Sequence, residues 1–196
     1  ALPLRNDEGR IVKWFGTCTD IDELKAAQER EALLLAELER RATHDPLTGL
    51  ANRDLLFEQL ELLLDQRHRT GIAVVFVDLD GFKLINDAMG HLAGDRVLVE
   101  VGNRLRAAVR QGDVVARMGG DEFVVVGEAD EPSGAQDLAH RMKSALEGPV
   151  AVGGAEVTVK ASVGHSFVAP GEHAHASDAL SRADHDMYAT KRGTRP

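Results

Sequence analysis

The sequence predicts an α/β protein: a mixed central sheet flanked by helices and preceded by a linker helix. Three observations carry that prediction. Gly71 to Asp78 is a compact apolar run, as expected of a strand buried on both faces. Asp113 to Met118 and Glu122 to Val126 read as two strands around Gly119-Gly120, an antiparallel hairpin. Around them apolar residues recur at helical spacing, and one βα crossover precedes the hairpin.

Each element has its own warrant. Ile11 to Thr17 follows the turn-like Asn6-Asp7-Glu8-Gly9 and reads as a strand. Asp20 to Ala42 is rich in Glu, Leu, Ala and Arg, a helix that Asp20 or Asp22 would cap by accepting from first-turn amides. Ile21, Leu24, Leu35 and Leu38 fit a seven-residue register, with Gln28 and Glu31 in the seam between them. Such a run is either a short parallel coiled coil with a polar interruption or a solvated linker helix with a leucine patch. Arg53 to Arg67 gathers Leu56, Leu60, Leu63 and Leu64 on one face, and Ala93 to Val109 aligns Val97, Leu98, Val101, Leu105 and Val109. Ser133 to Leu146 reads as a helix with Ser133 as cap, Val157 to Val163 as a strand, and Ala176 to Lys191 as a closing helix.

Composition narrows the function classes. Of 196 residues, 32 are acidic and 23 basic, for a net charge of −9. Hydrophobic residues at 43% and charged residues at 28% exclude wholesale disorder, and with 4% aromatics the core must be aliphatic. The acidic balance argues against a non-specific binder of nucleic acid polymers, which needs a basic footprint. It looks equally awkward for handling phosphates. The lone Cys18 excludes an internal disulfide and fits a reducing compartment. No apolar run approaches the ~20 residues that span a bilayer, and Ala1 to Gly16 lacks the apolar core of a signal peptide. The expectation is a cytoplasmic segment with no membrane contact of its own, although an upstream region could anchor it.

Two acidic clusters fall where strands end. Asp78 and Asp80 bracket Leu79, and residues i and i+2 of a strand share a face. Asp121 and Glu122 sit at the hairpin tip, which a central strand could bring near Asp78. Crowded carboxylates repel, so a cation is required, and magnesium suits a site of one or two carboxylates plus substrate phosphates. One such pair alone is more often a solvated loop. There is no P-loop motif and no G-x-G-x-x-G after a strand. Anion-binding amides would instead come from the turn Gly81-Phe82-Lys83.

At this point the residues resemble a known family. Gly119-Gly120-Asp121-Glu122-Phe123 is the signature of GGDEF-type diguanylate cyclases. Asp45-Pro-Leu-Thr-Gly-Leu-Ala-Asn-Arg53 resembles the opening of that domain. The run from Phe76 to Asp87, followed by Gly90-His91 and Gly94-Asp95, resembles its nucleotide-binding stretch. Blocks in the right order and spacing are far more specific than any single one. The resemblance covers about Thr43 to Arg195.

It implies a nucleotide-cyclase, ferredoxin-like domain over 43–196 that condenses two GTP into cyclic di-GMP as a homodimer. Asp78, the Leu79 carbonyl and Asp121 would hold Mg2+, with Mn2+ as an alternative. Glu122 or Asp121 would be the base, and Lys83 would stabilise developing charge. Phe82 and Lys83 would lie at the phosphates, with His91 in the same substrate-binding stretch. Asn86 and Asp95 would read guanine, and Lys191 and Arg195 would contact phosphates. Arg110-Gln-Gly-Asp113 matches the inhibitory RxxD motif, with Arg141 contributing, so product would bind there. The plain alternative is a surface Arg–Asp pair, worth under ~1 kcal/mol. His165 stands where the family carries an aliphatic residue and reads as a structural variation. Residues 1–19 resemble the end of a PAS sensor, with 20–42 as its signalling helix. A rival reading keeps the domain and drops catalysis: a module that binds GTP or cyclic di-GMP and regulates an attached output domain.

Overall fold

A computed structural model describes residues 2–16, 21–65 and 70–193, with the side chain of Phe15 excepted. Two compact units are distinguished, Ala1–Arg40 and Arg41–Pro196. In the first, β1 (Leu2–Arg5) pairs antiparallel with β2 (Ile11–Phe15). Asn6 closes their turn, its side-chain oxygen accepting from the amides of Glu8 and Arg10 at 3.2 and 2.9 Å. Four residues including Pro3 are too short a pattern to announce β1 in advance. Helix α1 (Asp22–Thr43) buries none of its residues and leaves Leu24, Leu33, Leu34, Leu35 and Leu38 exposed. Of its two expected caps, Asp20 lies outside the described residues, and Asp22 opens the helix with Glu23 as first-turn acids.

The second unit runs α2 (Arg53–Asp65), β3 (Gly71–Asp80), α3 (Phe82–Met89), α4 (His91–Ala108), β4 (Val114–Gly119), β5 (Glu122–Ala129), α5 (Pro132–Ala145), β6 (Pro149–Val152), β7 (Ala155–Thr158), β8 (Lys160–Val168) and α6 (Ala176–Gly193). Its main sheet has the order β4-β5-β3-β8, and all of its ladders are antiparallel. This corrects the mixed sheet expected from the βα crossover. The crossover does return β4 parallel to β3, but β5 inserts between them, the split arrangement of ferredoxin-like folds. A parallel contact survives only as an isolated bridge, Ala51 to Ala116, among the described residues.

Strand β3 is buried on both faces, as its continuous apolar run predicted. Ala73, Val75, Val77 and Leu79 join the core beneath α4 and α5. Ile72, Val74 and Phe76 join the core beneath α2 and α6. Leu56 and Leu60 of α2 are fully buried, whereas Leu63 and Leu64 pack at the margin. Other expectations shift. The strand expected at Val157–Val163 is two strands, β7 and β8, with β6 pairing β7 in a small hairpin. Ser133 does not cap α5. Glu131 holds the cap position with extended backbone and Pro132 enters the first turn, while Ser133 donates to the Glu131 carboxylate at 2.7 Å. Proline is suited to that place because its missing N–H is one the helix cannot use there.

Candidate active site

The C-terminal end of β3 gathers the acidic residues. In the β3–β5 ladder Asp78 stands opposite Glu122, and the Leu79 amide donates to the Asp121 carbonyl at 3.2 Å. The hairpin tip is thereby stitched to the strand that carries Asp78. On the other side Asp78 faces Ser162 of β8, and the Ser162 hydroxyl donates to Asp80 at 2.8 Å. Asp78 and Asp80 do share a face, because the Lys191 ammonium bonds Asp78 and lies 3.7 Å from Asp80.

Lys191 reaches them because α6 packs tightly on β8. A Cβ on Gly164 would meet the Met187 amide nitrogen at 2.0 Å, so no larger residue fits that crossing. His165 beside it is satisfied by Asp186, which accepts from its backbone amide at 2.9 Å and lies 3.1 Å from its ring Nδ1.

The site's electrostatics follow from crowding. Burial pushes the Asp121 carboxyl above the ordinary aspartate range, and the Asp78 charge adds to this. Burial does the same to Glu122, helped by Asp78, Asp121 and Asp184. Burial alone would depress the Lys191 ammonium; the hydrogen bond to Asp78 and the charges of Asp78, Asp80 and Asp121 outweigh it and hold its pKa high. Asp184 of α6 is a participant that motif reading missed, since only the packing of α6 brings it within reach.

These residues fit a hard divalent cation. Asp78, Asp121 and Glu122 offer oxygen donors whose mutual repulsion a cation would relieve. Among the described residues no three His, Cys, Asp or Glu groups form a ready cluster.

Past the strand end, Gly81 turns the chain with φ 72° into α3, which has no side-chain cap. First-turn amides of a helix have no partner within it, so those at Phe82 and Lys83 are available to an anion. Lys83 is exposed, as is His91 at the start of α4. Gly94 brings α3 and α4 together: a Cβ there would meet the Asn86 Oδ1 at 2.0 Å and the Phe82 ring at 3.1 Å. The Asn86 side chain thus packs against Gly94, the chain neighbour of the half-buried Asp95. Asp95 also lines a groove of about 580 Å³ with Leu47 and Leu92. Arg195 lies outside the described residues.

Arg110, Asp113 and Arg141 gather at a separate place, around a cleft of about 360 Å³ at the far end of β5. Asp113 accepts from the Arg110 amide at 2.9 Å and lies 3.7 Å from Arg141 Nη2. It packs across Gly127, where a Cβ would meet its Oδ1 at 2.6 Å. Arg141 Nε is buried without a hydrogen-bond partner. Glu122 and Glu128 mark the two ends, roughly 20 Å apart along the strand.

Arg117, two residues before the signature, joins two segments. Its Nη1 lies 3.1 Å from both Asp45 oxygens, while Nε and Nη2 donate to the Gly120 carbonyl at 3.1 and 2.8 Å.

A family model described as "Diguanylate cyclase, GGDEF domain" matches residues 42–196. The chain is 44% identical over 157 residues to the bifunctional diguanylate cyclase/cyclic di-GMP phosphodiesterase MucR of Pseudomonas aeruginosa, a match covering 79% of this chain and 23% of MucR. It thus spans about a quarter of the length of the curated relatives it matches. Among solved structures, a sensory box/GGDEF family protein from Caulobacter crescentus is 40% identical with a TM-score of 0.71, covering 76% of this chain and 98% of that one. The coiled coil and GGDEF domain of DgcB from the same organism, in complex with c-di-GMP, is 26% identical with a TM-score of 0.79, covering 89% and 94%.

Proposed function

The chain belongs to the GGDEF family of diguanylate cyclase domains, and from that premise we propose that it condenses two GTP into cyclic di-GMP and two pyrophosphates. The observation that carries this reading is the meeting of Asp78, Asp121 and Glu122 at one end of the sheet beside Lys191. Magnesium, when bound by Asp78, the Leu79 carbonyl and Asp121, would lower the pKa of the attacking hydroxyl and offset charge on the phosphates. The residues do the rest. Asn86 and Asp95 hold the guanine edge, and the amides at Phe82 and Lys83 hold the phosphates. Each 3′-hydroxyl attacks the α-phosphorus of the opposite nucleotide. Its proton passes to Glu122 or Asp121, and the bond to pyrophosphate breaks as Lys83 and Lys191 take up the charge. Most of the rate would come from positioning and charge stabilisation.

One domain offers one such half-site, so the active form is a homodimer, with the 20–42 helix coupling the upstream 1–19 segment to the 43–196 domain. The exposed leucines of α1 support that part. The reaction belongs in the cytoplasm, where GTP is available; no helix among the described residues is long and apolar enough to cross a membrane. Cyclic di-GMP would feed back through Arg110, Asp113 and Arg141, whose unpartnered buried Nε supports a ligand there.

The test is GTP with magnesium and chromatographic detection of cyclic di-GMP, comparing wild type with Asp121→Ala. Product from the wild type alone is the expected outcome. No product from a verified dimer would favour a regulatory module, a reading that the short span within the bifunctional MucR keeps in view. Arg110→Ala should raise the cyclic di-GMP concentration needed for half-inhibition by about tenfold; unchanged inhibition would remove the second site.

A further inference from the structure

The Gly119–Gly120 turn carries both hairpin-tip carboxylates, yet it is intrinsically soft. Both glycines have positive φ, 139° and 54°, and glycine has more backbone states to choose from than any other residue. Something outside the turn must select one. The β3 strand does so from one side, through the Leu79 amide on the Asp121 carbonyl. From the other side the hold is Arg117, whose guanidinium bridges the Gly120 carbonyl and Asp45, with side chains only 12% and 17% exposed.

Asp45 is itself fixed. Its Oδ1 accepts from the Thr48 amide at 2.8 Å and hydroxyl at 2.7 Å, and its amide donates to the Leu50 carbonyl at 2.8 Å. The loop that carries it is tied at both ends. Asn52 donates from its amide to the Thr43 carbonyl at 2.9 Å and from Nδ2 to the Ala42 carbonyl at 2.7 Å. Ala51 accepts from the Arg117 amide at 2.9 Å. A continuous run of short bonds therefore leads from Ala42 to the signature turn.

We infer that Arg117, anchored by Asp45, is a positioning residue for the Gly119–Gly120 turn and ties the placement of Asp121 and Glu122 to the Ala42–Asn52 segment. The inference rests on the reading of this end of the sheet as the reaction centre. Arginine is required because its planar fork serves two acceptors on different edges, whereas a lysine ammonium is a single point charge. The proposed guanine contacts and the phosphate-binding amides of α3 lie outside the Arg117–Asp45–Gly120 bridge, while the Ala42–Asn52 segment also packs on α4, Leu50 against Gly102 and the Gly49 carbonyl accepting from Arg106 Nη2 at 2.7 Å. Breaking the bridge with those α4 contacts kept would thus alter turnover more than nucleotide affinity.

The experiment compares wild type, Arg117→Lys, Asp45→Asn and Asn52→Asp by thermal melting, amide hydrogen exchange and GTP turnover. Asn52→Asp keeps the Oδ1 that accepts from the Leu55 amide at 2.9 Å but removes the donor to Ala42. In folded Arg117→Lys and Asp45→Asn, exchange at residues 119–122 should accelerate by about tenfold or more while central β3 amides are unchanged. Their kcat should fall by about 10²-fold with KM for GTP within about threefold. Asn52→Asp should accelerate the same exchange by about threefold. Unchanged exchange at 119–122 in the first two overturns the clamp, and unchanged exchange in Asn52→Asp overturns its link to Ala42. Faster exchange with unaltered kcat overturns the positioning role. A wild type that makes no product defeats the cyclase reading instead, and exchange alone then decides the clamp.

Discussion

Asp45 and Asp121 both feel the Arg117 guanidinium, yet their surroundings push them in opposite directions. Burial would raise Asp45, but hydrogen bonds from Thr48 and Arg117 and the arginine charge outweigh it, so its pKa falls below the ordinary value. Asp121 has the Arg117 charge nearby too, but burial and the Asp78 charge dominate and its pKa rises. One aspartate holds the fold together by being charged. The other is held by the fold in a place where burial and a neighbouring carboxylate disfavour its charge. A structural carboxylate and a site carboxylate are thus told apart by their partners.

The largest expected effect tests the crowded side. Asp121→Ala should lower cyclic di-GMP formation by at least about 10²-fold without lowering the melting temperature. A melting temperature depressed as far as that of an Asp45 variant would erase the contrast.

On the satisfied side, Asp45→Ala should destabilise the domain by about 2–3 kcal/mol, since it leaves Arg117 short of its charged partner in a half-buried place. The melting temperature should drop by roughly 5–10 °C for a domain of this size. A loss below about 0.5 kcal/mol, as for an exposed pair, would remove Asp45 from the fold's supports.

The contrast sharpens with pH. Because the folded pKa of Asp45 lies below its unfolded value, its stabilisation is complete above the unfolded value of about 3.9 and fades as pH falls through the folded one. The gap in melting temperature between wild type and Asp45→Asn should therefore be widest near neutrality and close in acid. A gap that widened on acidification would have the wrong sign.

The smallest effect concerns repulsion itself. In chelator-treated buffer, Asp121→Asn should melt about 1–2 °C above wild type, since it removes one of the crowded charges. Millimolar magnesium should then raise the wild type more than the variant. Equal shifts would place the cation elsewhere.

Much of this is legible in the sequence. Period-two reasoning placed Asp78 and Asp80 on one face, and Lys191 reaches both. The apolar run at β3 announced a strand buried on both sides, and the Gly119-Gly120 pair announced the hairpin. The parts that escaped have two causes. The strand order β4-β5-β3-β8 depends on where β5 inserts, which no local pattern records. Ser133 offered a good cap chemically, but Pro132 in the first turn sets the cap two residues earlier, at Glu131.

The sequence by itself determined the family, most of the longer helices and strands and the carboxylates that end β3 and open β5, because motifs and periodicities are local and survive any arrangement of neighbours. Only the tertiary structure decided that Lys191 closes on Asp78, that Asp184 adds to the charge at Glu122, and that Arg117 joins Asp45 to Gly120. Asp45 and Arg117 are 72 residues apart, and Asp78 and Lys191 are 113 apart. Contacts across such separations are set by strand register and helix packing. Neither leaves a mark on the spacing of residues along the chain.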